Sequence, residues 1–560
     1  MSNHNTNTAQ FTFDSKIKLF TVVLMAIGIV SLGVTFAIDG EYNHIRFWTN
    51  ILHNTVFFVG IAFAALLFIS THTMAWGGWQ TLFKRVPEAM MTFLYVGVGL
   101  VALIGVAIAL DLPGTDLLYL WSDEAALDPA NEHFDKLVAH KSTLLNPMTY
   151  FLTALVVALW SFFAAKIRSL SIKQDTTPYT VTEGNSLPEE TVKTRLYAAI
   201  FLPVAGFSSA FAIWLWVMSV DTHWYSTLFA WYATVSMFVS CVCVMLLTIM
   251  FLKHKGYLES FTANHMHDLG KYIFGFSVFW TYLWFSQFLL IWFANNGEET
   301  QYFFLRFEQF KPIFFINLII NFALPFLILI MNSSKRTVGT IGFTAGLVLL
   351  GHWIDFYQMI KPGVWYNYEH AQHLSHAHGD DHGHGHEDDA HSSTYRLEDH
   401  NNFNGGKAVL TDYQDGHDDQ GHGAEHTDDT HSDEHNDGDT TTTAHDDHGH
   451  ETPHHDDTHS DDHDHNHGTT GGDHNHDTND HDSHGDDAHG SHHETQFVMG
   501  IHFPGLLELG TMAGFLGLFL FVMFFSLSKA PLYPPNDPYI RESEHHEVWP
   551  YPAEGHDDHH

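Results

Sequence analysis

The chain has 560 residues, 24 Lys and Arg against 64 Asp and Glu, and a formal net charge of −40, a balance that excludes binding to nucleic acid through phosphate neutralisation. That charge is an average over two materials: residues 369–494 hold 30 of the 47 His and 34 of the 64 acids beside only Arg396 and Lys407, and so carry about −32 of the −40. What remains is rich in Phe and Trp, with 22 bases and 30 acids, and excludes an ordinary soluble protein.

A bilayer core about 30 Å thick takes roughly 20 apolar residues of helix. Ten such runs occur, near 17–38, 48–70, 89–110, 148–166, 196–219, 227–252, 272–294, 312–332, 338–360 and 505–528. The first is too long for a signal-peptide core and lacks a small-residue cleavage site, so it reads as a retained span with no cleaved targeting peptide. The expected organisation is a tail at 1–14, spans one to nine over 15–362, a His/Asp-rich insert at 363–496, the tenth span within 497–530 and a polar, Pro-rich tail at 531–560 that docks in extended form. Placing both termini in the cytoplasm puts sixteen of the 24 bases on that side and eight opposite, as the positive-inside rule requires. The insert then faces outward, which in a Gram-negative bacterium is the periplasm.

Ionisable groups inside hydrocarbon are functional candidates by default. Span two carries Asn50, His53 and Asn54 on one face, and span nine carries His352, Asp355 and Gln358 on one face. Asp221 and His223 interrupt the apolar stretch "WLWVMSVDTHWYSTLFAWY" between spans five and six. Asp39 closes span one, Glu298 and Glu299 follow span seven, and Glu508 opens span ten. Residues at span ends commonly lie among lipid headgroups, which is the expectation for Asp39, Glu298 and Glu299. Asn317 and Asn321 read as helix–helix glue, and Trp224 and Trp292 as interface-belt residues. Cys241 and Cys243 lie mid-span, face different sides and read as buried small apolar residues, since an iron–sulfur cluster needs about four ligands.

The insert cannot bury enough apolar surface to offset the entropy of ordering and is expected to be disordered. Its imidazoles and carboxylates suit weak, multi-site binding of zinc-type ions, with no dedicated metal site because nothing fixes a ligand set. A divalent-cation transporter with a His-rich collecting loop is the alternative, and His352 with Asp355 the only close His/Asp pair deep in a span to serve it. An outward pocket of His and carboxylate walled by Phe, Trp and Met suits a quinol better. Its ring takes an apolar slot, and its hydroxyls need proton acceptors as electrons leave.

The segments "HIRFWTNILHNTVFFVGIAFAALLF", "WLWVMSVDTHWYSTLFAWY", "FGFSVFWTYLWFSQFLLIWFANNGEET", "NFALPFLILIMNSSKR" and "PLYPPNDPYIRESEHHE" resemble the NrfD-like membrane subunits of alternative complex III, a bacterial quinol:cytochrome c oxidoreductase. The likeness is greatest to the second of that complex's two such subunits, and the His-rich insert lies outside the family pattern. The resemblance implies an all-α polytopic fold of ten transmembrane helices, the middle eight forming two four-helix bundles. It also implies an inner-membrane complex with a sister NrfD-like subunit, iron–sulfur and haem c subunits on the outer face, and quinol or menaquinol as reductant, with no cofactor bound covalently to this chain. Asp221 would then be an acceptor for protons or for a partner's hydrogen bonds, with His223 its neighbour. His352, Asp355 and His53 would serve as quinol hydroxyl acceptors or an outward proton relay, with Glu298 and Glu508 further along the quinone or proton path. A purely structural scaffold is the remaining reading.

Overall fold

The computed structural model describes residues 10–131, 134–177, 187–377 and 497–547. The chain falls into two units, Met1–Val409 with Thr495–His560, and Leu410–Glu494; every described residue belongs to the first. That unit is α-helical, with no β-strand among the described residues. Ten of its helical segments are long and apolar enough to cross a membrane: Ser15–Tyr42, Ile45–Met74, Thr81–Ala109, Pro147–Gln174, Glu189–Val220, Thr227–His254, Ala263–Ala294, Lys311–Leu329, Val338–Gln372 and Leu506–Leu527, numbered here as spans 1 to 10.

Spans 2 to 5 pack together as one four-helix bundle and spans 6 to 9 as a second. Spans 2 and 6, almost wholly buried, press the two bundles together. Gly60 makes that crossing possible, because a Cβ there would lie 2.5 Å from the Met237 side chain. Spans 1 and 10 form a flanking pair in which a Cβ on Gly28 would lie 2.3 Å from the Cα of Gly514. Small residues that let backbones approach supply dispersion contacts where lipid removes the hydrophobic drive for helix association.

Several spans exceed their apolar runs. Span 3 starts at Thr81 rather than near residue 89, because Arg85 and Glu88 are buried and paired. Span 7 starts at Ala263, where His265 Nε2 donates to the Ser543 carbonyl at 2.9 Å. The helix of span 9 runs to Ala377, past the boundary expected at residue 362 and through Pro362. Its added turns are held by Asn367, whose Nδ2 reaches the carbonyls of Leu117 and Val220 at 3.1 and 3.3 Å. Residues 378–496, the bulk of the expected disordered insert, lie outside the described residues.

The C-terminal segment docks on the chain's own face, beside the N-terminal start of span 1. Asp537 pairs with Lys84, Glu542 accepts from the Gly78 amide at 3.2 Å, and His546 pairs with Asp268 at 2.6 Å. This is the terminal face, and the opposite one, with residues 217–226, is the Asp221 face.

Candidate functional site

Asp355 is fully buried in the bundle of spans 6 to 9. Its Oδ1 accepts from the Tyr232 hydroxyl and from Asn317 Nδ2 at 2.8 Å, and its Oδ2 from Ser236 Oγ at 2.8 Å and Trp280 Nε1 at 2.9 Å. One carboxylate thereby ties span 9 to spans 6, 7 and 8. Satisfying each lone pair offsets the desolvation cost of so deep a charge. The Asn321 amide donates to Asn317 Oδ1 at 2.6 Å and so extends the network. Asn321 lies in a π-helical turn, Ile319–Ala323, just before Pro325. A proline removes an amide donor from the ladder, and such widened turns accommodate the loss. The expected helix–helix glue of Asn317 and Asn321 is thus glue around a carboxylate.

His352 and Asp355 are not directly bonded, because their nearest nitrogen and oxygen are 3.9 Å apart. Ser236 Oγ bridges them, 2.9 Å from His352 Nδ1 and 2.8 Å from Asp355 Oδ2. A hydroxyl that donates to one neighbour while accepting from another is a two-way proton bridge. His352 Nε2 is buried without a partner.

Tyr232 links this carboxylate to a small space lined by Gln287, Tyr302, Arg306, Gln358 and Met359. Its volume of about 20 Å³ holds about one water, and the buried Gln358 Oε1 has no protein partner. Beyond the space lies Arg306, 1% exposed, whose Nη2 is 3.0 Å from Asp221 Oδ2 and whose guanidinium stacks 3.4 Å above the Tyr302 ring. Burial pushes the Asp221 carboxyl above the ordinary carboxylate range, and Arg306 offsets only part of that rise. The stretch "MSVDTHWYST" is therefore where this polar chain meets the Asp221 face.

Asp221 and His223 are not neighbours in a shared pair. His223 Nε2 lies 2.6 Å from Asp135 Oδ2, and Asp221 turns the other way, toward Arg306. Residues two apart in a turn point in different directions, and each found its partner far along the chain, Asp221 on the helix Gly297–Glu308 and His223 at the cap of Lys136–Lys141. Burial raises the Asp135 carboxyl, but the His223 imidazole outweighs it and holds the group below its usual value. Trp224 is likewise no interface-belt residue: it is 4% exposed and stacked 3.8 Å from the Tyr302 ring. Trp292 does face outward, at 44% exposure.

His53 does not join Asp355. Its Nε2 sits 2.9 Å from the Trp353 carbonyl, on the other face of span 9. That face carries a second network. Glu508 Oε1 accepts from Arg46 Nη2 at 3.0 Å and Asn50 Nδ2 at 3.3 Å, and Lys361 Nζ donates to Asn50 Oδ1 at 2.8 Å. Asp39, expected among headgroups, is fully buried beside it and accepts from the Phe47 amide at 3.1 Å. The side chain of Glu298 lies outside the described residues; its backbone belongs to the helix Gly297–Glu308 that carries Arg306. Cys241 and Cys243 are free, buried thiols.

A third network sits in the bundle of spans 2 to 5, near the terminal face. Arg85 Nη1 pairs with Glu88 at 2.6 Å and with Ser171 Oγ at 2.9 Å, and Arg85 Nη2 pairs with Asp175 at 2.5 Å. Burial pushes Asp175, at the end of span 4, up to about 6 despite Arg85.

Arg306, Arg46, Lys361, Tyr232, Trp280 and Arg85 were not singled out by sequence reasoning. The signal available for Arg306 was its lone positive charge on an amphipathic helix beside the acidic turn. Among the described residues no three His, Cys, Asp or Glu side chains gather as a metal-ligand set.

These features define a polytopic α-helical membrane protein with charged networks sealed inside its helix bundles. Comparison with models of known protein families found no match, and comparison with curated proteins found none either.

Proposed function

We propose that this chain is the second NrfD-like membrane subunit of an alternative complex III, set in a bacterial cytoplasmic membrane with both termini inside, and that its own task is outward proton transfer through spans 6 to 9. The observation that carries the proton role is Asp355, buried under four donors and linked through Tyr232 and a water-sized space to Arg306 and Asp221. Once Asp355 is protonated through Ser236, the Tyr232 hydroxyl turns from Asp355 to the water beyond and gives it a proton as the Asp355 proton passes to the Tyr232 oxygen, so the tyrosine ends unchanged. Asp221, with its raised carboxyl pKa, then takes the proton at the Asp221 face and releases it outward. His352, through Ser236, is the reservoir on the inner side of Asp355.

The space beside Asp355 favours proton transfer over quinol binding, since a water-sized volume has no room for a quinol ring. Quinol would be oxidised at the sister subunit, and the electrons would travel through haem c and iron–sulfur clusters in partner subunits. Cation transport is disfavoured because both Asp355 oxygens are already engaged by donors from three helices.

The test uses the tagged complex in sealed vesicles, with quinol oxidation and outward proton release recorded together. Tyr232→Phe keeps the ring and removes one donor of four, and Asp355→Asn removes the charge. Both are expected to keep the complex assembled and lower protons released per electron toward the share that quinol oxidation itself frees, with the larger fall for Asp355→Asn. Unchanged proton release in an assembled Asp355→Asn complex would sink the relay and leave the scaffold reading.

A further inference from the structure

A groove of about 450 Å³ opens between span 1, spans 6 and 9, and span 10, on the terminal half of the molecule. Phe20, Leu247, Phe251, Leu349, Leu520 and Phe524 form its walls. Thr248, the one hydroxyl along it, is occupied with Met523 Sδ at 3.9 Å. Phe20 is 57% exposed, so the groove opens sideways, toward the surface where lipid lies. That volume, far above the water-sized space in the bundle of spans 6 to 9, has room for a run of methylenes of one acyl chain.

The terminal-face lip of the groove is framed by cations. Lys16 lines it directly. Lys255 Nζ sits 5.8 Å above the Phe251 ring, and Lys18 Nζ sits 5.3 Å above Phe13, whose ring packs 6.2 Å from Phe524. All three lysines are exposed. No carboxylate lines the groove, and Asp14, nearest in sequence, accepts from the Ile17 amide at 2.8 Å as the cap of span 1. An uncharged chain lying in the groove would have no use for three ammonium groups at its mouth. An acyl chain joined to a phosphate would use both.

We infer that the groove between spans 1, 6, 9 and 10 is a binding site for an anionic phospholipid, with one acyl chain between the helices and the phosphate held by Lys16 and Lys255. The lipid completes the contact between the flanking helix pair and the bundle of spans 6 to 9. A lysine at the membrane surface favours an anionic lipid by about fivefold, so the two together give a preference of about twenty-five-fold over a zwitterionic one.

The experiment uses the full-length chain, purified in detergent, stripped of lipid and incubated with equal amounts of phosphatidylglycerol and phosphatidylcholine. Native mass spectrometry then counts what is retained. About one phosphatidylglycerol per chain is expected, with the preference falling about fivefold in Lys16→Gln and again in Lys16→Gln/Lys255→Gln. Leu520→Trp, which fills the groove, is expected to abolish retention, with Leu247→Trp as the second filling variant if the first does not fold. Equal retention of the two lipids, or undiminished phosphatidylglycerol in a folded groove-filled variant, overturns the assignment. So does recovery of a quinone, rather than a phospholipid, as the molecule that the filling displaces.

Discussion

At the scale of single residues, the chain solves one problem repeatedly: how to keep a charge inside an apolar bundle. Arg306 illustrates it, with Asp221 on one side, Tyr302 beneath and the Met359 carbonyl at 3.3 Å. Removing one partner of a buried pair costs about 3–5 kcal/mol because the other is left uncompensated. Arg306→Gln is therefore expected to lower the melting temperature, and by more at high pH than at low. The Asp221 pKa is raised in the folded state, so its protonation favours folding; that contribution is complete below the ordinary carboxylate value and lost as pH rises through the raised one. Without Arg306 the rise is larger, so a melting-temperature deficit that stays constant from pH 4 to pH 8 would contradict the pairing. Asp135 has the opposite sign. Its pKa is depressed, so the tie to His223 holds above about pH 4 and is lost as pH falls through the lowered value. Hydrogen exchange in Lys136–Lys141, the short helix that Asp135 caps, should accelerate below that pH in the native chain and already at neutral pH in His223→Ala.

At the scale of elements, glycine and proline set the geometry that the polar groups exploit. Gly28 and Gly514 bring spans 1 and 10 into backbone contact, and any Cβ at either position must push them apart. Gly28→Leu is expected to loosen the pair and lower the melting temperature of the chain; unaltered melting would show that the helices tolerate separation. The existence of ten spans was legible from apolar runs alone, because a helix must satisfy its own backbone in lipid. Their ends were not. Arg85, Glu88, His265 and Lys361 read as boundary markers in a linear sequence, whereas each is buried against a partner far along the chain: Asp175, Ser171, Ser543 and Asn50.

At the scale of the whole molecule, two bundles, a flanking helix pair and a docked C-terminal segment form one folded unit. The C-terminal segment reaches spans 3, 4, 5 and 7 on the terminal face through Lys84, Gln174, Arg195 and Asp268: Asn536 Nδ2 donates to the Asp175 carbonyl at 2.7 Å, and Ser543 Oγ accepts from the Leu82 amide at 3.0 Å. A chain stopped after Lys529 is expected to melt lower and to be cleaved faster by protease, since charged hydrogen bonds such as Lys84 to Asp537 contribute about 1.5–3 kcal/mol each. Unaltered melting would mean that the segment rests on the surface without holding it.

The sequence by itself determined the number of spans, the class of fold and the residues that need an explanation, because hydropathy and the cost of charge in hydrocarbon act on each residue where it stands. Asp221, His223, His352, Asp355, His53 and Glu508 were all visible in this way. Their partners were decided only by the tertiary structure: Asp355 with Tyr232, Trp280 and Asn317, Asp221 with Arg306, His223 with Asp135, and Glu508 with Arg46. A buried charge must find its complement, but which helix supplies it depends on how the bundles pack, and no spacing within one span encodes that.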